Sequence, residues 1–449
     1  MYTKLKQIAV LTGILLLSNF AARAQALSGT YSIPGSYSSI EAAVNALNQN
    51  GVSGAVVFDV GASSAYTETP LGTIVLGSSL LNGTTSATNT ITFRKAATAT
   101  ANPLINAYAG TKIASSTDSI DIMFAIAGTD YVTIDGIDLA EISANTTNIT
   151  CMEVGYGLYK LTANDGANFN TIRNCVITLN RLNVTNGSGI RNNIAGSTGI
   201  EVVSSLRTAV NTAVTQTAVS GASSFNKFYS NTIQNVNFGV AMSGAAIASP
   251  YTLADQNNDI GGNSLSTGNT IINFGGGTGA GFACGAVFIN NQYGSNISFN
   301  TINNNTGTGV NHPVSNRGIW LFGSSPGASC TVNNNTITIL SGASTTAINW
   351  CVDMEMAQTG ANGNVLNINN NRFLNCRSAT TTNAQFTAVW VNSAATTVNV
   401  NNNYIYGYTR EATTGIGTVI LSQLAGIGTL NINNNIIDSM VLTGIFSTQ

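Results

Sequence analysis

Short runs in which apolar and polar residues alternate recur along the chain, and most are followed by asparagine. The runs "LNINNNRFLNC" from Leu366, "VNVNNNYIYGY" from Val398 and "LNINNNIIDSM" from Leu430 carry the pattern at a 32-residue step. Aligned on Asn-x-apolar, the repeat extends back through "NTIRNC" at Asn170, "NTIQNV" at Asn231, "NTIINF" at Asn269, "NTINNN" at Asn300 and "NTITIL" at Asn335. After Asn231 the steps are 38, 31, 35, 36, 32 and 32 residues, while the earlier step of 61 fits two units or one unit with an insert. Each unit holds a second alternating stretch: "GIEVVS", "GVAMSG", "GAVFIN", "GIWLFG", "WCVDMEM", "AVWVNS" and "TVILSQ". Period-two alternation rich in Val, Ile and aromatics predicts strands with one buried face, so a unit carries about three short strands and no helical period.

Units of this kind bury their apolar faces by stacking into a solenoid, each strand pairing with its copy one coil away at about 4.8 Å. The asparagines then have a physical reason. A coil turns sharply between strands, and Asn tolerates left-handed backbone while hydrogen-bonding nearby main chain. At the same corner of successive coils, each side-chain amide can donate to the next. Asn335, Asn371, Asn403 and Asn435 are expected to stack in this way.

The repeats resemble the right-handed parallel β-helix of the pectin-lyase-like superfamily, asparagine ladders included, over roughly residues 55 to 449. "SYSSIEAAVNALNQNG" from Ser36 suits a short capping helix over the N-terminal end. Ser38 and Glu41 read as a capping box, Ile40, Ala43, Val44 and Leu47 as the apolar face, and Gly51 as the stop. "AVVFDVGASSAYTETPL", with its Tyr66-x-Glu68, resembles the superfamily's entry strands, and "DYVTIDGIDLAEI" reads as an early coil. The fold class is therefore all-β, a right-handed parallel β-helix of three-strand coils. Residues 1–26 form a signal peptide, 27–54 an N-terminal cap and 55–449 the β-helix, with a protruding loop insertion at about 204–225. The last repeat has no polar capping unit, so either the last strands cap themselves or the chain is a fragment of a longer protein, the latter being the favoured expectation.

The signal peptide rests on Lys4 and Lys6, the apolar run Ile8 to Leu17, and small residues through Ala26. It predicts an extracellular or cell-surface protein, and no second run is long enough to span a bilayer. Charged residues make up 8% of the chain against about 25% in ordinary domains, yet 43% apolar residues argue for folding rather than disorder. A net charge of −2 without any basic run offers no footprint for nucleic acid or anionic lipid. The six cysteines read as buried, unpaired core residues. Cys330 stands where the repeats have Leu366, Val398 and Leu430, and Cys175 and Cys376 stand where they have Val236, Phe274, Leu340 or Met440.

Candidate chemistry is sparse. One histidine, His312 in a loop beside Pro313, reads as a solvated corner, and no His/Cys cluster has zinc spacing. "DQNNDIGGNS" from Asp255 has oxygen ligands at alternate positions, a weak Ca²⁺ pattern, but Gly261 is one place late and Ser266 stands where a bidentate Glu belongs. No other cofactor is indicated. Asp130, Asp135, Asp138 and Glu141 read as points on a solvated face. The resemblance implies catalytic motifs that this chain lacks: Asn-Thr-Ile replaces the Asn-Thr-Asp of polygalacturonases, whose Asp-Asp, Gly-His-Gly and Arg-Ile-Lys motifs are absent. Pectinesterase-like enzymes match only at Tyr66-x-Glu68, and no coil groups an Asp-rich calcium site with a nearby base as in pectate lyases.

One stripe stands out. In the second strand series Val287, Ile319, Val352, Val389 and Val419 point inward, and Phe288, Trp320, Asp353, Trp390 and Ile420 point outward on successive rungs. Two residues on come Asn290, Phe322, Glu355, Asn392 and Ser422. Either a loop or the inserted segment covers this stripe and the aromatics simply pack, or the stripe is open. Open aromatics flanked by carboxylates and amides would suit a polysaccharide or cell-surface glycan, with Phe288, Trp320, Phe322, Trp390 and Asn392 as contacts. The expected function is an exported, non-catalytic, adhesin-like surface or matrix protein that holds glycans. The alternative is a carbohydrate-active enzyme, a polysaccharide lyase or glycoside hydrolase, with Asp353 and Glu355 as its acid/base pair.

Overall fold

The computed structural model describes residues 25–61, 65–112, 119–183, 186–277, 281–305, 312–323, 325–341, 348–356, 363–378, 385–411, 417–423 and 426–442. The signal-peptide expectation, apart from positions 25 and 26, and the last residues of the chain lie outside them. The fold is a parallel β-solenoid. Sheets of twelve, eleven and ten strands run its length, a four-stranded sheet joins them in the last coils, and every strand pairing is parallel. Among the described residues no helix is long and apolar enough to cross a membrane.

The period-two pattern sets which side chains fill the interior. In the twelve-stranded sheet, Val332, Ile368 and Val400 face in while Thr331, Asn367 and Asn399 face out, in register from coil to coil. One continuous core follows, from Leu27 to Tyr408. At its N-terminal end it contains a stack of rings, Tyr31 on Phe58 at 5.7 Å and Phe58 on Phe93 at 4.6 Å. All six cysteines are buried, and Cys330 pairs with Leu366 as the alignment required. Cys376 is level with Met440 as aligned but one place from Leu340, level with Ile339, whereas Cys175 occupies the position of Asn231, just before a strand.

The Asn-Asn-Asn triplets divide three tasks among them. In "NNN" at 369–371, Asn369 ends an outer strand position, Asn370 takes the left-handed turn with φ 58°, and Asn371 enters the interior. The buried third asparagines form the expected ladder. Asn335 donates its N–H and its Nδ2–H to Asn371 Oδ1, both at 3.0 Å, and Asn371 does the same to Asn403. Asn403 repeats the pattern to Asn435, and each Nδ2 also reaches a backbone carbonyl, Val332 O for Asn371. The first asparagines build a second, outer ladder, in which Asn401 N–H donates to Asn369 Oδ1 at 2.9 Å. Asn170 is a correction: it precedes a strand of the twelve-stranded sheet and heads a separate buried ladder, donating to Asn226 Oδ1, whose own N–H reaches Asn258 Oδ1. The 61-residue spacing therefore joins two different corners; the true coil step is 56 residues, Thr171 to Lys227, one coil carrying an insert.

The helix Ile40–Asn50 closes the N-terminal end with Ile40, Ala43, Val44 and Leu47 buried, and Gly51 ends it at φ 65°. Its cap is Ser39, which accepts from Ala42 N–H, instead of Ser38. The carboxylate at the helix start comes from a distance: Glu68 accepts from Ile40 N–H at 2.7 Å and from the Tyr66 hydroxyl. The Tyr-x-Glu element therefore ties the cap to the first coil. The helix dipole favours an anion there, and Glu41, two residues beyond Ser39, is too early to close a box. The segment expected to protrude from 204 continues as strand through Leu206. Its remainder folds back on the coils, with Val210 buried and the Lys160 ammonium bonded to Gln216 and to Gly221 O.

Candidate functional site

The ten-stranded sheet carries the second strand series, and its outer face holds the polar chemistry that the ladders do not absorb. Strand pairing confirms the expected rungs: Phe288 opposes Trp320, Trp320 opposes Asp353, and Asp353 opposes Trp390. The next residue in this row is Leu421, because Val389 pairs with Ile420, so the expected Val419/Ile420 register is one place early. Upstream the row continues through Ala241 to Glu201.

Of the two expectations for the stripe, the covered one holds for its aromatic row. Phe288 is fully buried, and Trp320 and Trp390 are 4% and 8% exposed. Over the upstream part lies a strap, residues 186–197 just before strand Thr198–Leu206 and distinct from the 204–225 stretch, from which Ile194 and Ala195 pack on Phe238, Phe288 and Trp320. The strap is pinned by a fully buried ion pair, Arg191 to Glu201 at 2.7 and 2.9 Å, with Glu201 in the same row as the aromatics. Cover by a loop or by the inserted segment was one of the two expectations for the stripe; which stretch supplies it was not readable, because nothing local marks where a loop will lie. The accessible side is the row two residues further on, where Phe322, Glu355 and Asn392 are half-buried.

Around Asp353 the packing is unusual. Arg317 places its guanidinium carbon 3.7 Å from the Trp320 ring centroid and 4.8 Å from that of Trp350. Trp350 in turn stacks on Trp390 at 4.2 Å with 17° between the planes. Arg317 Nε donates to Asp353 Oδ2 in a buried pair. Trp320 Nε1–H donates to Glu355 Oε2 at 2.9 Å, and Trp390 Nε1–H to Gln423 Oε1 at 3.0 Å. Three buried polar atoms at the centre have no hydrogen-bond partner among the described residues: Arg317 Nη1, Trp350 Nε1 and Asp353 Oδ1. Burial pushes the Asp353 carboxyl up to about 8, Glu355 raising it further while Arg317 opposes.

Arg317 and Trp350 are functional candidates that sequence reading missed. Both lie in the row preceding the stripe, paired with each other. An Arg and a Trp at matching outward positions of "NRGIW" and "NWCVD" were a usable signal. Of the sequence candidates, Trp320, Asp353, Glu355 and Trp390 are brought together. Phe288 contacts this group through Trp320 at 4.9 Å and Phe322 lies 5.7 Å from Trp320, whereas Asn392 stands in the outer row, paired through its N–H to Met354 O.

The remaining candidates have structural partners. His312 is buried, not solvated: Nδ1 accepts from Gly276 N–H at 2.9 Å, so Nε2 donates to Phe282 O at 2.7 Å. Burial lowers its pKa to about 4, leaving a neutral ring that braces a turn. Asp255 turns inward to Ser204 Oγ and Ser223 N–H, while Asp259 faces outward to the Tyr229 hydroxyl, so the calcium-like pattern does not converge. No group of three or more His, Cys, Asp or Glu that could hold a metal exists among the described residues. Asp130, Asp138 and Glu141 are not solvated points but half-buried acceptors, for example of Asn168 N–H, Val176 N–H and Met152 N–H. Asp135 pairs with Arg173 at 2.8 Å on the outer face.

No family model and no curated protein matches the chain. Among solved structures it is similar to PfbA, a surface adhesin of Streptococcus pneumoniae, at 12% identity and a TM-score of 0.41, covering 94% of this chain and 90% of that one. A GH136 lacto-N-biosidase from Eubacterium ramulus is similar at 10% identity and a TM-score of 0.39, over 89% of this chain and 64% of the other.

Proposed function

We propose that the protein is an exported, adhesin-like β-helix of a cell surface or extracellular matrix that holds glycans on the outer face of its ten-stranded sheet. The observation that carries this reading is the trio of buried, unpartnered polar atoms, Arg317 Nη1, Trp350 Nε1 and Asp353 Oδ1, set between indole rings. Leaving each unpaired costs about 1–3 kcal/mol, so the packing here is not set by stability alone, and the half-buried polar rim beside these sealed atoms offers a sugar donors and acceptors. Phe322, Asn392 and Glu355 form the accessible rim along which a chain would lie, with Phe288 and Trp320 supporting it from beneath. The uncharged Asn, Thr, Ser and Gly surface and the missing catalytic motifs of the resembling enzymes fit a binder. The predicted signal peptide supplies the export.

One observation favours a second reading, a glycoside-cleaving enzyme. Asp353, held protonated near neutrality, lies two residues from Glu355 on one strand, about 6.6 Å along the backbone. That spacing is near the roughly 6.5–9.5 Å of an inverting acid/base pair.

Affinity electrophoresis in gels containing plant, algal or animal polysaccharides tests the binder, and the same panel incubated with protein and assayed for new reducing ends tests the enzyme. Retention in at least one gel without turnover is expected, with Asp353→Asn shifting retention modestly. Turnover abolished by Asp353→Asn would establish the second reading. Neither retention nor turnover across the panel would remove both.

A further inference from the structure

On the other side of the strap, at the corner where the eleven-stranded sheet turns into the ten-stranded one, the surface opens into a groove of about 1200 Å³. Its lining includes Glu141, Asn145, Asn180, Arg181, Asn235 and Asn273. Half of these are already engaged. Glu141 accepts from Asn145 Nδ2–H, Ile142 N–H and Met152 N–H, and Asn180 Nδ2–H donates to Asn145 O and Cys151 Sγ. The other half are not. Neither the Arg181 guanidinium nor the side chains of Asn235 and Asn273 have a hydrogen-bond or ion-pair partner among the described residues, and Asn273 Oδ1 is buried in that state.

Asn235 and Asn273 follow the paired strands Thr232–Gln234 and Thr270–Ile272, in adjacent coils. Both adopt left-handed backbone, φ 55° and 51°. Left-handed asparagines elsewhere, such as Asn334, Asn370 and Asn402, likewise leave their side-chain amides unpaired among the described residues; these two differ in lining a groove. Here two amides in successive coils, about 4.8 Å apart along the axis, turn their donors and acceptors to a concave space with one free guanidinium.

We infer that this groove binds an acidic sugar: Arg181 takes its carboxylate or sulfate, and Asn235 and Asn273 take its hydroxyls. Guanidinium forms a charge-assisted, two-pronged contact with planar or tetrahedral oxyanions. Primary amides carry a donor and an acceptor side by side and match sugar hydroxyls, which do the same. The Glu141 carboxylate does not compete for Arg181, since its oxygens are held by three N–H groups. The groove is larger than the roughly 300–1,000 Å³ of drug-sized sites, room for a sugar and its neighbour. This site shares no residue with the stripe, and its failure would leave the function proposed above untouched.

Isothermal titration of the full chain with sialyllactose, a sulfated heparin tetrasaccharide, neutral lactose and free glutamate tests the inference. Saturable binding of the sialylated or the sulfated sugar is expected, which also tells carboxylate from sulfate, with no heat from lactose or glutamate. Arg181→Ala should weaken binding about tenfold or more, as loss of a charge-assisted contact does. Asn235→Gly with Asn273→Gly, which keeps the left-handed turns, should weaken it as well. If Arg181→Ala folds poorly, Arg181→Lys replaces it: the charge stays, the fork is lost, and weaker binding is still expected. The inference falls if no acidic sugar binds, if a folded Arg181 variant binds as wild type does, or if glutamate binds equally well.

Discussion

The ladder corner and the outer face of the ten-stranded sheet are built from the same coils, yet they treat polar groups in opposite ways. At the corner Asn335, Asn371, Asn403 and Asn435 are interchangeable, and the N–H and Nδ2–H of the first three each find the Oδ1 of the next coil. On the face no residue repeats its neighbour: Phe288, Trp320, Asp353, Trp390 and Leu421 succeed one another, and atoms of Arg317, Trp350 and Asp353 remain without partners. Repetition lets a solenoid satisfy its own backbone. Where the repeat is broken by bulky and charged groups that the fold does not need, the chemistry is free for another molecule.

The two regions should therefore break differently. Arg317→Met gives the largest effect at about pH 9, where Asp353 is ionised in the native protein, because it leaves that carboxylate buried beside Glu355 without its counter-charge, a loss of about 3–5 kcal/mol in urea unfolding. Adding Asp353→Asn should return much of that loss, since the buried charge goes with it. If the double variant is no more stable than Arg317→Met, the pair is not coupled and the face is ordinary packing. Asn371→Leu at the corner comes next. It strips the acceptor from Asn335 and a donor from Val332 O, and should cost about 1–3 kcal/mol without changing any ligand retention. Loss of retention in a folded Asn371→Leu protein would erase the contrast between scaffold and site.

The smallest effect is the pH dependence, which should sharpen the comparison. Burial holds Asp353 and Glu153 up at about 8 and Asp130 at about 7, well above their unfolded values. In the native state these groups keep protons that the unfolded chain has released, so stability falls as pH rises toward 8. His312, lowered to about 4, acts in the opposite direction, its cost appearing below about pH 6.5. Between pH 6.5 and 8.5 only the carboxylates act, and the urea midpoint should decline, less steeply in Asp353→Asn. A midpoint that rises over this interval would contradict the burial of these groups.

Much of the scaffold could be read directly. Alternation identified which residues of "LNINNN" face inward, and the 32-residue step gave their partners. Errors came where registers depend on one residue, as at Ile420, or where similar strings serve different corners, as at Asn170. The helix cap shows the same limit: Ser38 and Ser39 are equivalent in sequence, and Glu68, the carboxylate at the helix start, is distant along the chain. At the candidate site the rungs Trp320, Asp353 and Trp390 were legible. Their burial under a loop was one of two expectations, but which segment forms the strap over Phe288, and the Arg317 wedge, were not legible.

What the sequence determined by itself is the coil: its strands, its turns, and the residues that recur at each corner, since these depend on local conformational preference and on pairing with a near-identical neighbour. What only the tertiary structure decided is where the non-repeating parts lie. The strap reaches Phe288 and Trp320 through contacts set by loop path and shape, and Arg191 finds Glu201 on the face it covers. Hydrophobic and ionic contacts across the surface carry no period, so no spacing in the chain announces them. They nonetheless decide which polar atoms of the outer face are sealed, which are paired, and which remain for a ligand.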